Sequence, residues 1–370
     1  MADENFTTNK IRRSATAVLC AMAAFALSAI GAYADDVVSM DKRADIAPLC
    51  GTKPMKVALI DGFGADTWRK IARAEFEDEI KKCPNVTATK YSDAGGDQQK
   101  YNGDINSFVA QGMNIIIALT DFGDAAIPAY RKAFKDGVTM EPYFSHLSGK
   151  VGTDYAANTY QDQHYTGGIW ADWLGKTLNG KGNVVLLGGT AGAASSKVFM
   201  NGFKERLKNY PEMKLLDENY IVTDWNPATA QKAVTGLIAK YPQIDGIASD
   251  YGVTTLAAIK AFEQAGLPVP AQATLASNNE LNCKYVSAKK DGKAWKYLTL
   301  DGTTNTVRFA VRSAVAAFQG IENKEPSAVV PFIYANSETG LDPKCDTNAP
   351  PDADLSSGLP EATLHALFNK

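Results

Sequence analysis

The pattern of apolar and polar positions repeats along the chain. An apolar run of strand length at residues 56–60 leads into a loop with two glycines and then into an amphipathic helical pattern over residues 67–82. Roughly 130 residues later, an apolar run at 183–187 leads into a glycine-rich loop and a second helical pattern that ends at Leu207. Self-similarity at this spacing predicts a duplicated domain.

The repeat continues beyond the first helix of each copy. The apolar runs at 115–121 and 244–250 end on Asp121 and Asp250, and a helical pattern follows each of them. Strands that alternate with helices predict parallel sheets with helices on both faces. We therefore predict an α/β protein of two Rossmann-like lobes, with ligands bound between them at the carboxyl ends of the strands.

The first residues have the pattern of an export signal. Basic residues from Lys10 to Arg13 precede an alanine-rich apolar run that ends near Ala32-Tyr33-Ala34, an A-x-A cleavage pattern. We predict that residues 1–34 are a signal peptide cleaved after about Ala34 and that the mature protein lies in the periplasm. The alternatives are a membrane anchor, a lipoprotein processed at Cys20, or export by the twin-arginine route.

Four cysteines remain once the leader is removed. An even number in an oxidising compartment predicts two disulfides, for which three pairings are possible. Cys50 precedes the first strand and Cys83 follows the helix that runs back beside it, so both lie at one sheet edge. This arrangement favours Cys50 with Cys83 and leaves Cys283 with Cys345. Free thiols or a metal site would be the alternative, but no close Cys-x-x-Cys spacing occurs.

Charge and motifs argue against several functions. The formal net charge is -3, and no basic stripe marks a nucleic-acid surface. The three histidines, His146, His164 and His365, show no metal-ligand spacing, and no nucleophile elbow, P-loop or dinucleotide fingerprint occurs. The glycine loop at 188–192 precedes a helix but lacks the lysine of a P-loop. We predict no catalytic residue, no metal and no cofactor.

Candidate ligand contacts lie on the loops that follow the predicted strands. Indole rings can stack on the apolar face of a sugar, and carboxylates can accept hydrogen bonds from several hydroxyl groups. Each residue also has an ordinary structural alternative as a helix cap, a turn or part of the core. The candidates from this reasoning are Asp66, Thr67, Trp68, Asp121, Trp225, Asp250, Tyr251, Asn278 and Asp301.

Several motifs together resemble one family. They lie at residues 66–68, 151–155, 202–205, 223–225 and, further along, 241–247 and 254–262. With the exported two-lobed plan, they make the chain similar to the type I periplasmic sugar-binding proteins of the ribose-binding kind. The resemblance covers residues from about 54 to 334.

The resemblance implies a domain plan and additional site positions. Residues 54–153 plus 302–335 would form the N-terminal lobe and residues 154–301 plus 336–370 the C-terminal lobe. Three chain crossings near Gly152, Asp301 and Ala335 would form the hinge. The family's polar site positions fall near Ser145, His146 and Phe199, with Lys197 two residues before Phe199. Asn278 replaces an aspartate and Phe199 an arginine that the family commonly has.

The resemblance also implies a function. The ligand would be small and neutral, a monosaccharide or polyol, because the family's charged positions are altered. Closure of the lobes would present the loaded monomer to an ABC transporter permease, or to a chemoreceptor. The alternatives are a ligand-sensing subunit for a chemoreceptor or histidine kinase, and an exported sugar-active enzyme.

Overall fold

The computed structural model describes residues 38–39, 44–64 and 66–368 of the 370-residue chain. The predicted signal peptide, its cleavage point after Ala34 and the last two residues of the predicted C-terminal lobe lie outside these ranges. Within the described ranges, no α-helix has the length and hydropathy that crossing a membrane requires.

The described strands form two mostly parallel sheets. In chain order they are β1 (Val38–Ser39), β2 (Met55–Asp61), β3 (Val86–Asp93), β4 (Ile115–Leu119), β5 (Thr139–Phe144), β6 (Thr159–Gln161), β7 (Lys181–Gly188), β8 (Glu212–Leu215), β9 (Ile221–Val222), β10 (Gly246–Ser249), β11 (Ala271–Leu275), β12 (Tyr297–Leu300), β13 (Ala328–Val330) and β14 (Ile333–Asn336).

Helices connect the strands of both sheets. They are α1 (Thr67–Ile80), α2 (Gln98–Ala110), α3 (Ile127–Lys135), α4 (Gln163–Thr177), α5 (Ala194–Leu207), α6 (Pro227–Lys240), α7 (Gly252–Gln264), α8 (Asn279–Lys290), α9 (Thr306–Gln319) and α10 (Glu361–Phe368). Side-chain oxygens cap several of their first turns. Asp66, Asn226 and Asn278, for example, accept hydrogen bonds from backbone N–H groups of α1, α6 and α8.

Apart from the additional strands β1 and β9, the two sheets have the same strand order, which agrees with the predicted duplication. The first sheet runs β1-β13-β6-β5-β4-β2-β3 and the second β14-β12-β11-β10-β7-β8, with β9 paired to β7. Thus β2 and β7, the first strands of the two sequence copies, occupy equivalent places. The last strand differs, because β13 pairs parallel with β6 whereas β14 pairs antiparallel with β12.

Each sheet is buried on both faces, as apolar strands without alternation predict. In β2, Val57 and Leu59 belong to the core on one face, and Ala58 and Ile60 belong to the core on the other. In β7, alternate residues from Val184 onward divide between two cores of the second sheet in the same way. Alternation of side chains along a strand explains this division.

The chain leaves the first sheet later than the predicted crossing near Gly152. β6 (Thr159–Gln161) still pairs with β5 and β13. Glu141 accepts hydrogen bonds from the backbone N–H and the hydroxyl of Thr159, and Tyr155 packs in a core of the first lobe. The predicted boundary between residues 153 and 154 therefore precedes the last strand of this part of the first sheet.

The other two crossings lie side by side. Asp301 follows β12 of the second sheet, and Phe332 lies between β13 of the first sheet and β14 of the second. The N–H of Asp301 donates to the carbonyl of Phe332, and the N–H of Phe332 donates to the Asp301 carboxylate. The third crossing thus precedes β14, whereas it was predicted near Ala335, a residue within that strand.

Both predicted disulfides are present. Cys50 bonds to Cys83, and Cys283 of α8 bonds to Cys345. The geometric argument for the first pair is confirmed, because the two cysteines lie at the same edge of the first sheet.

The C-terminal tail, residues 345–368, contacts both lobes rather than one. Its start is fastened to α8 of the second lobe by the disulfide at Cys345. Its final helix, α10, buries Leu364 against Ile71 and Ala74 of α1 in the first lobe. The whole tail was predicted to belong to the C-terminal lobe. This agrees with the start of the tail but not with α10, which packs on the first lobe.

Candidate functional site between the lobes

A cavity lies between the carboxyl ends of the two sheets. Its volume is about 500 Å³, counting the space that is open to solvent. The first lobe contributes one wall and the second lobe the other. The lining residues are Asp66, Trp68, Arg69, Leu119, Asp121 and Phe144 from the first lobe, and Ser195, Phe199, Trp225, Asp250, Tyr251 and Leu275 from the second.

The wall of the first lobe is organised around Arg69. This residue lies in the first turn of α1, with 8% of its side chain exposed. Its guanidinium donates to the carboxylate of Asp66 and, at 2.6 Å, to Oδ1 of Asp121. Oδ2 of Asp121 accepts a bond from the N–H of Gly62 at 2.8 Å. The loop after β2 and the end of β4 are thereby held together by one buried cation.

Burial perturbs the acids of this wall. It raises the pKa of Asp61, behind Asp121, to about 7, although Arg69 opposes the rise and Tyr91 donates a hydrogen bond to the carboxylate. Burial also raises the pKa of Asp121, again against the effect of Arg69. Burial lowers the pKa of Arg69, but its carboxylate neighbours outweigh burial and raise it. The guanidinium therefore stays charged and holds the wall together.

In the wall of the second lobe, the carboxylate of Asp250 accepts its hydrogen bonds from neutral donors. Asp250, 7% exposed, accepts bonds from the hydroxyl of Ser196 at 2.5 Å and from the indole N–H of Trp225 at 3.1 Å. Burial raises its pKa to about 7, against the effect of these neutral donors. The carboxyl group therefore exchanges its proton near neutral pH.

A strained loop places Trp225 over this carboxylate. Asp224 and Trp225 both have left-handed backbones, with φ of 54° and 49°. Such angles are uncommon for residues other than glycine. The indole lies so close to Gly189 that a Cβ there would be 2.1 Å from the ring. The glycine loop at 188–192 therefore makes room for Trp225, which gives it a role other than phosphate binding.

Aromatic rings close the space between the walls. The rings of Phe63 and Trp225, from opposite lobes, have centroids 6.3 Å apart. The guanidinium of Arg69 lies 5.9 Å from the Trp68 ring and 5.8 Å from the Trp225 ring. Trp68 packs edge-on to Phe144 and donates its indole N–H to the carbonyl of Gly302 at 2.5 Å. The cavity thus combines charged groups with flat apolar faces.

Most predicted site residues meet in or beside the cavity. The seven that line it are Asp66, Trp68, Asp121, Phe199, Trp225, Asp250 and Tyr251. Thr67 and Asn278 line a smaller pocket that shares Trp68 and Tyr251 with the cavity and also includes Asp352 and Asp354 of the tail. The side chain of Asn278 caps α8: its amide oxygen, Oδ1, accepts a hydrogen bond from the backbone N–H of Leu281.

Two predicted residues after β5 point away from the cavity. Ser145 is buried, and its hydroxyl accepts a hydrogen bond from Gln163. His146 is exposed, with its ring edge-on to Tyr160. Phe144 lines the cavity instead and has φ of 90°, so the backbone turns at this residue.

Lys197 and Asp301 also lie outside the cavity lining. Lys197 is exposed on α5, two residues before Phe199; two residues are about 200° of rotation on a helix, so the two side chains point in opposite directions. The carboxylate oxygens of Asp301 accept from Phe332 N–H and Thr303 N–H. Asp301 therefore holds the hinge strands together.

Sequence reasoning missed Arg69, the central residue of the first wall. From the sequence alone, an arginine in the first turn of a helix is expected to be exposed to solvent. The available signal was Asp66, three residues earlier and on the same helical face, together with the strand-end Asp121. Ser195, Leu119, Phe144 and Leu275 were missed as well, because the sequence does not distinguish an apolar or hydroxyl side chain that lines a cavity from one that packs in the core.

A family model described as a periplasmic binding protein domain matches residues 57–322, which is more than half of the chain. The chain belongs to this family. The matched range contains every residue named above as lining the cavity, from Asp66 to Leu275. The predicted family resemblance and the predicted fold class are thereby confirmed.

Periplasmic binding proteins with similar sequences include two curated relatives. The xylitol-binding protein of Mycolicibacterium smegmatis is 26% identical over 229 residues, which are 61% of this chain and 63% of that protein. The galactofuranose-binding protein YtfQ of Escherichia coli is 27% identical over 164 residues, 44% of this chain and 51% of that protein. The chain thus matches between half and two thirds of the length of these relatives.

A solved structure has the same fold. It is the periplasmic binding protein component of the arabinose ABC transporter from Shewanella sp. ANA-3, bound to α- and β-L-arabinofuranose. The TM-score is 0.66 at 18% identity, and the match covers 77% of this chain and 92% of that one.

Proposed function

We propose that this periplasmic binding protein captures a small neutral ligand, a monosaccharide or polyol, and delivers it to an ABC transporter permease. The observation that carries the proposal is the cavity between the lobes, where the Arg69 network of one wall faces Trp225 and Asp250 of the other. A ligand there touches both lobes at once.

The cavity's chemistry suits a polyhydroxylated molecule. The carboxylates of Asp66, Asp121 and Asp250 can accept hydrogen bonds from hydroxyl groups, and the indole of Trp225 offers a face for a sugar ring. Among the described lining residues, Arg69 is the one cation and is already paired with two carboxylates, so it is not available as a free partner for an anionic ligand. The names of the two relatives, xylitol-binding protein and galactofuranose-binding protein, describe neutral ligands of this class.

The same arrangement favours binding without chemistry. Asp66 and Asp121 are both committed to Arg69, and Asp250 is held by Ser196 and Trp225. Carboxylates held in this way are poor candidates for the separate acid and base of a glycosidase. We therefore propose that the protein is not an enzyme and uses no cofactor, in keeping with its family.

Export and lobe closure complete the proposal. The leader at residues 1–34 directs the chain to the periplasm, where the two disulfides form. Residues 44–161 plus 302–330 act as one lobe and residues 162–301 plus 333–336 as the other. The three crossings between them form the hinge, and a ligand that touches both walls favours the closed arrangement. The monomer then presents a different surface to the permease, or to a chemoreceptor.

A ligand screen tests the proposal. The purified mature protein is heated with single sugars, polyols, sugar acids, amino acids and nucleosides, because a ligand that binds the native state raises the melting temperature. We expect a rise with one neutral sugar or polyol, and one ligand per chain by calorimetry. A rise with only sugar acids or only non-carbohydrates would contradict the assigned ligand class.

A further inference from the structure

Three side chains that can bind a metal ion meet at the C-terminal tail, outside the interlobe cavity. They are Asp346, Glu361 and His365. One ligand atom from each, two carboxylate oxygens and an imidazole nitrogen, lie within 4.8 Å of one another. Spacing in the sequence did not reveal this group, because Asp346 is brought to α10 only by the fold of the tail.

The two halves of the cluster are held independently. Glu361 and His365 are four residues apart on α10, so their side chains project from the same face of the helix. Asp346 follows the disulfide-bonded Cys345. Its backbone N–H donates to Oδ1 of Asn279 at 3.0 Å, and its carbonyl accepts from Nδ2 of the same residue at 2.7 Å.

The carboxylate of Asp346 accepts one backbone hydrogen bond and faces both Glu361 and His365. Oδ1 accepts from the N–H of Asn348 at 2.9 Å, which shapes the local turn. Oδ2 lies 3.8 Å from Nε2 of His365, and Oε1 of Glu361 lies 3.9 Å from the same nitrogen. These separations are too long for hydrogen bonds.

Nε2 of His365 is a buried nitrogen without a hydrogen-bond partner among the described residues. Only 24% of its side chain is exposed, and this nitrogen points toward the two carboxylates. Two ligands that each lie about 2.1 Å from one metal ion can be up to about 4.2 Å apart. Both distances from Nε2 fit within that limit, which applies to ligands on opposite sides of the ion. All three ligand atoms lie within 4.8 Å of one another, so a small movement of the exposed Glu361 side chain would let one ion bind the nitrogen and both carboxylates.

We propose that Asp346, Glu361 and His365 bind one divalent transition-metal ion such as Zn²⁺, with water completing the coordination. An imidazole with two carboxylates suits Zn²⁺, whereas Ca²⁺ and Mg²⁺ prefer oxygen ligands. The ion joins α10, which packs on α1 of the first lobe, to the segment that Cys345 fastens to α8 of the second lobe. It therefore fixes the tail across both lobes.

Calorimetric titration of the metal-free mature protein with ZnCl₂ tests the site. We expect one ion per chain, and His365→Ala should weaken the binding at least tenfold. Glu361→Gln should also weaken it, and because the Glu361 side chain is 63% exposed, this variant keeps its fold even if His365→Ala does not. Zn²⁺ should raise the melting temperature of the wild type but not that of His365→Ala.

His164→Ala is the matched control. His164 also lies beside a glutamate, 3.1 Å from Glu205, but it is half exposed and belongs to no cluster of three ligands among the described residues. This variant should bind Zn²⁺ within twofold of the wild type. The proposal is overturned if the wild type binds no Zn²⁺, if His365→Ala and Glu361→Gln both bind as the wild type does, or if Ca²⁺ binds as tightly as Zn²⁺.

Discussion

The two walls of the cavity stabilise their buried carboxylates by different means. In the first lobe, Arg69 supplies a full positive charge to Asp66 and Asp121. In the second lobe, Asp250 receives only neutral hydrogen bonds, from Ser196 and Trp225. A cation offsets more of the cost of burying a carboxylate than neutral donors do. The first wall is therefore held together by a full positive charge, and the carboxylate of the second wall by neutral donors.

The largest effect is expected from breaking the charge of the first wall. Arg69→Met keeps much of the side-chain volume but leaves Asp66, Asp121 and the nearby Asp61 without their cation. Removing one partner of a buried ion pair costs about 3–5 kcal/mol of stability. Denaturant unfolding should show a loss of this size, and ligand binding should be abolished.

Arg73→Ala is the control for this variant, because Arg73 lies on the same helix in an exposed pair with Glu77. A surface pair contributes less than about 1 kcal/mol. Equal losses of stability in the two variants would show that Arg69 contributes no more than an exposed ion pair, which would contradict its proposed role in the wall.

We expect Asp250 of the second wall to make the free energy of unfolding depend on pH. The pKa of Asp250 is about 7 in the folded protein and near 3.8 when unfolded. Between these values the native state keeps a proton that the unfolded state has released, so stability falls as pH rises from about 4 to about 7. The slope is up to about 1.4 kcal/mol per pH unit.

Asp250→Asn removes this titration. Relative to the variant, the wild type should lose unfolding free energy across that pH range, measured by denaturant titration at each pH. Asp224→Asn is the control; Asp224 is exposed in the same loop, and asparagine tolerates its left-handed backbone. Parallel profiles for the wild type and Asp250→Asn would contradict the raised pKa.

A smaller effect is expected from the aromatic part of the second wall. Trp225→Ala should weaken ligand binding by at least about 1 kcal/mol and leave the fold intact. Trp225→Phe keeps a ring but loses the N–H that donates to Asp250, so its loss should be smaller. Calorimetry with the ligand from the screen would separate the two, and unchanged affinity in both variants would remove Trp225 from the site.

The smallest effects are expected from two residues that the family resemblance placed in the site. His146 and Lys197 are exposed and lie outside the cavity lining. Substitution of either by alanine should change stability by less than about 0.5 kcal/mol and ligand affinity by less than about twofold. A tenfold loss of affinity in either variant would show that the ligand reaches beyond the two walls.

The fold was largely predictable because it depends on periodic features. Apolar runs, helical patterns and their repetition located β2, β4, β7 and β10, and strand-end positions identified Asp121 and Asp250 as site candidates. The disulfides followed from the predicted position of Cys50 and Cys83 at one sheet edge. These inferences succeed because the hydrophobic period of a strand or helix can be read from the residues of that strand or helix alone.

Features that depend on contacts between distant segments were harder to predict. The first crossing was placed near Gly152 from the family motif at residues 151–155, and the short strand β6 that follows has too few residues for a clear period. Arg69 gains its role from a carboxylate on another strand, and Lys197 loses its expected role through one half-turn of α5. The tail crosses to the first lobe through contacts of Leu364 that no local pattern indicates.

The most direct test of the account is a crystal structure of the protein with the ligand identified by the screen. We expect the ligand between the walls, with hydrogen bonds to Arg69 or Asp121 of the first lobe and contacts with Trp225 or Asp250 of the second. A ligand bound outside the cavity, or in contact with only one wall, would contradict the proposed capture between the lobes.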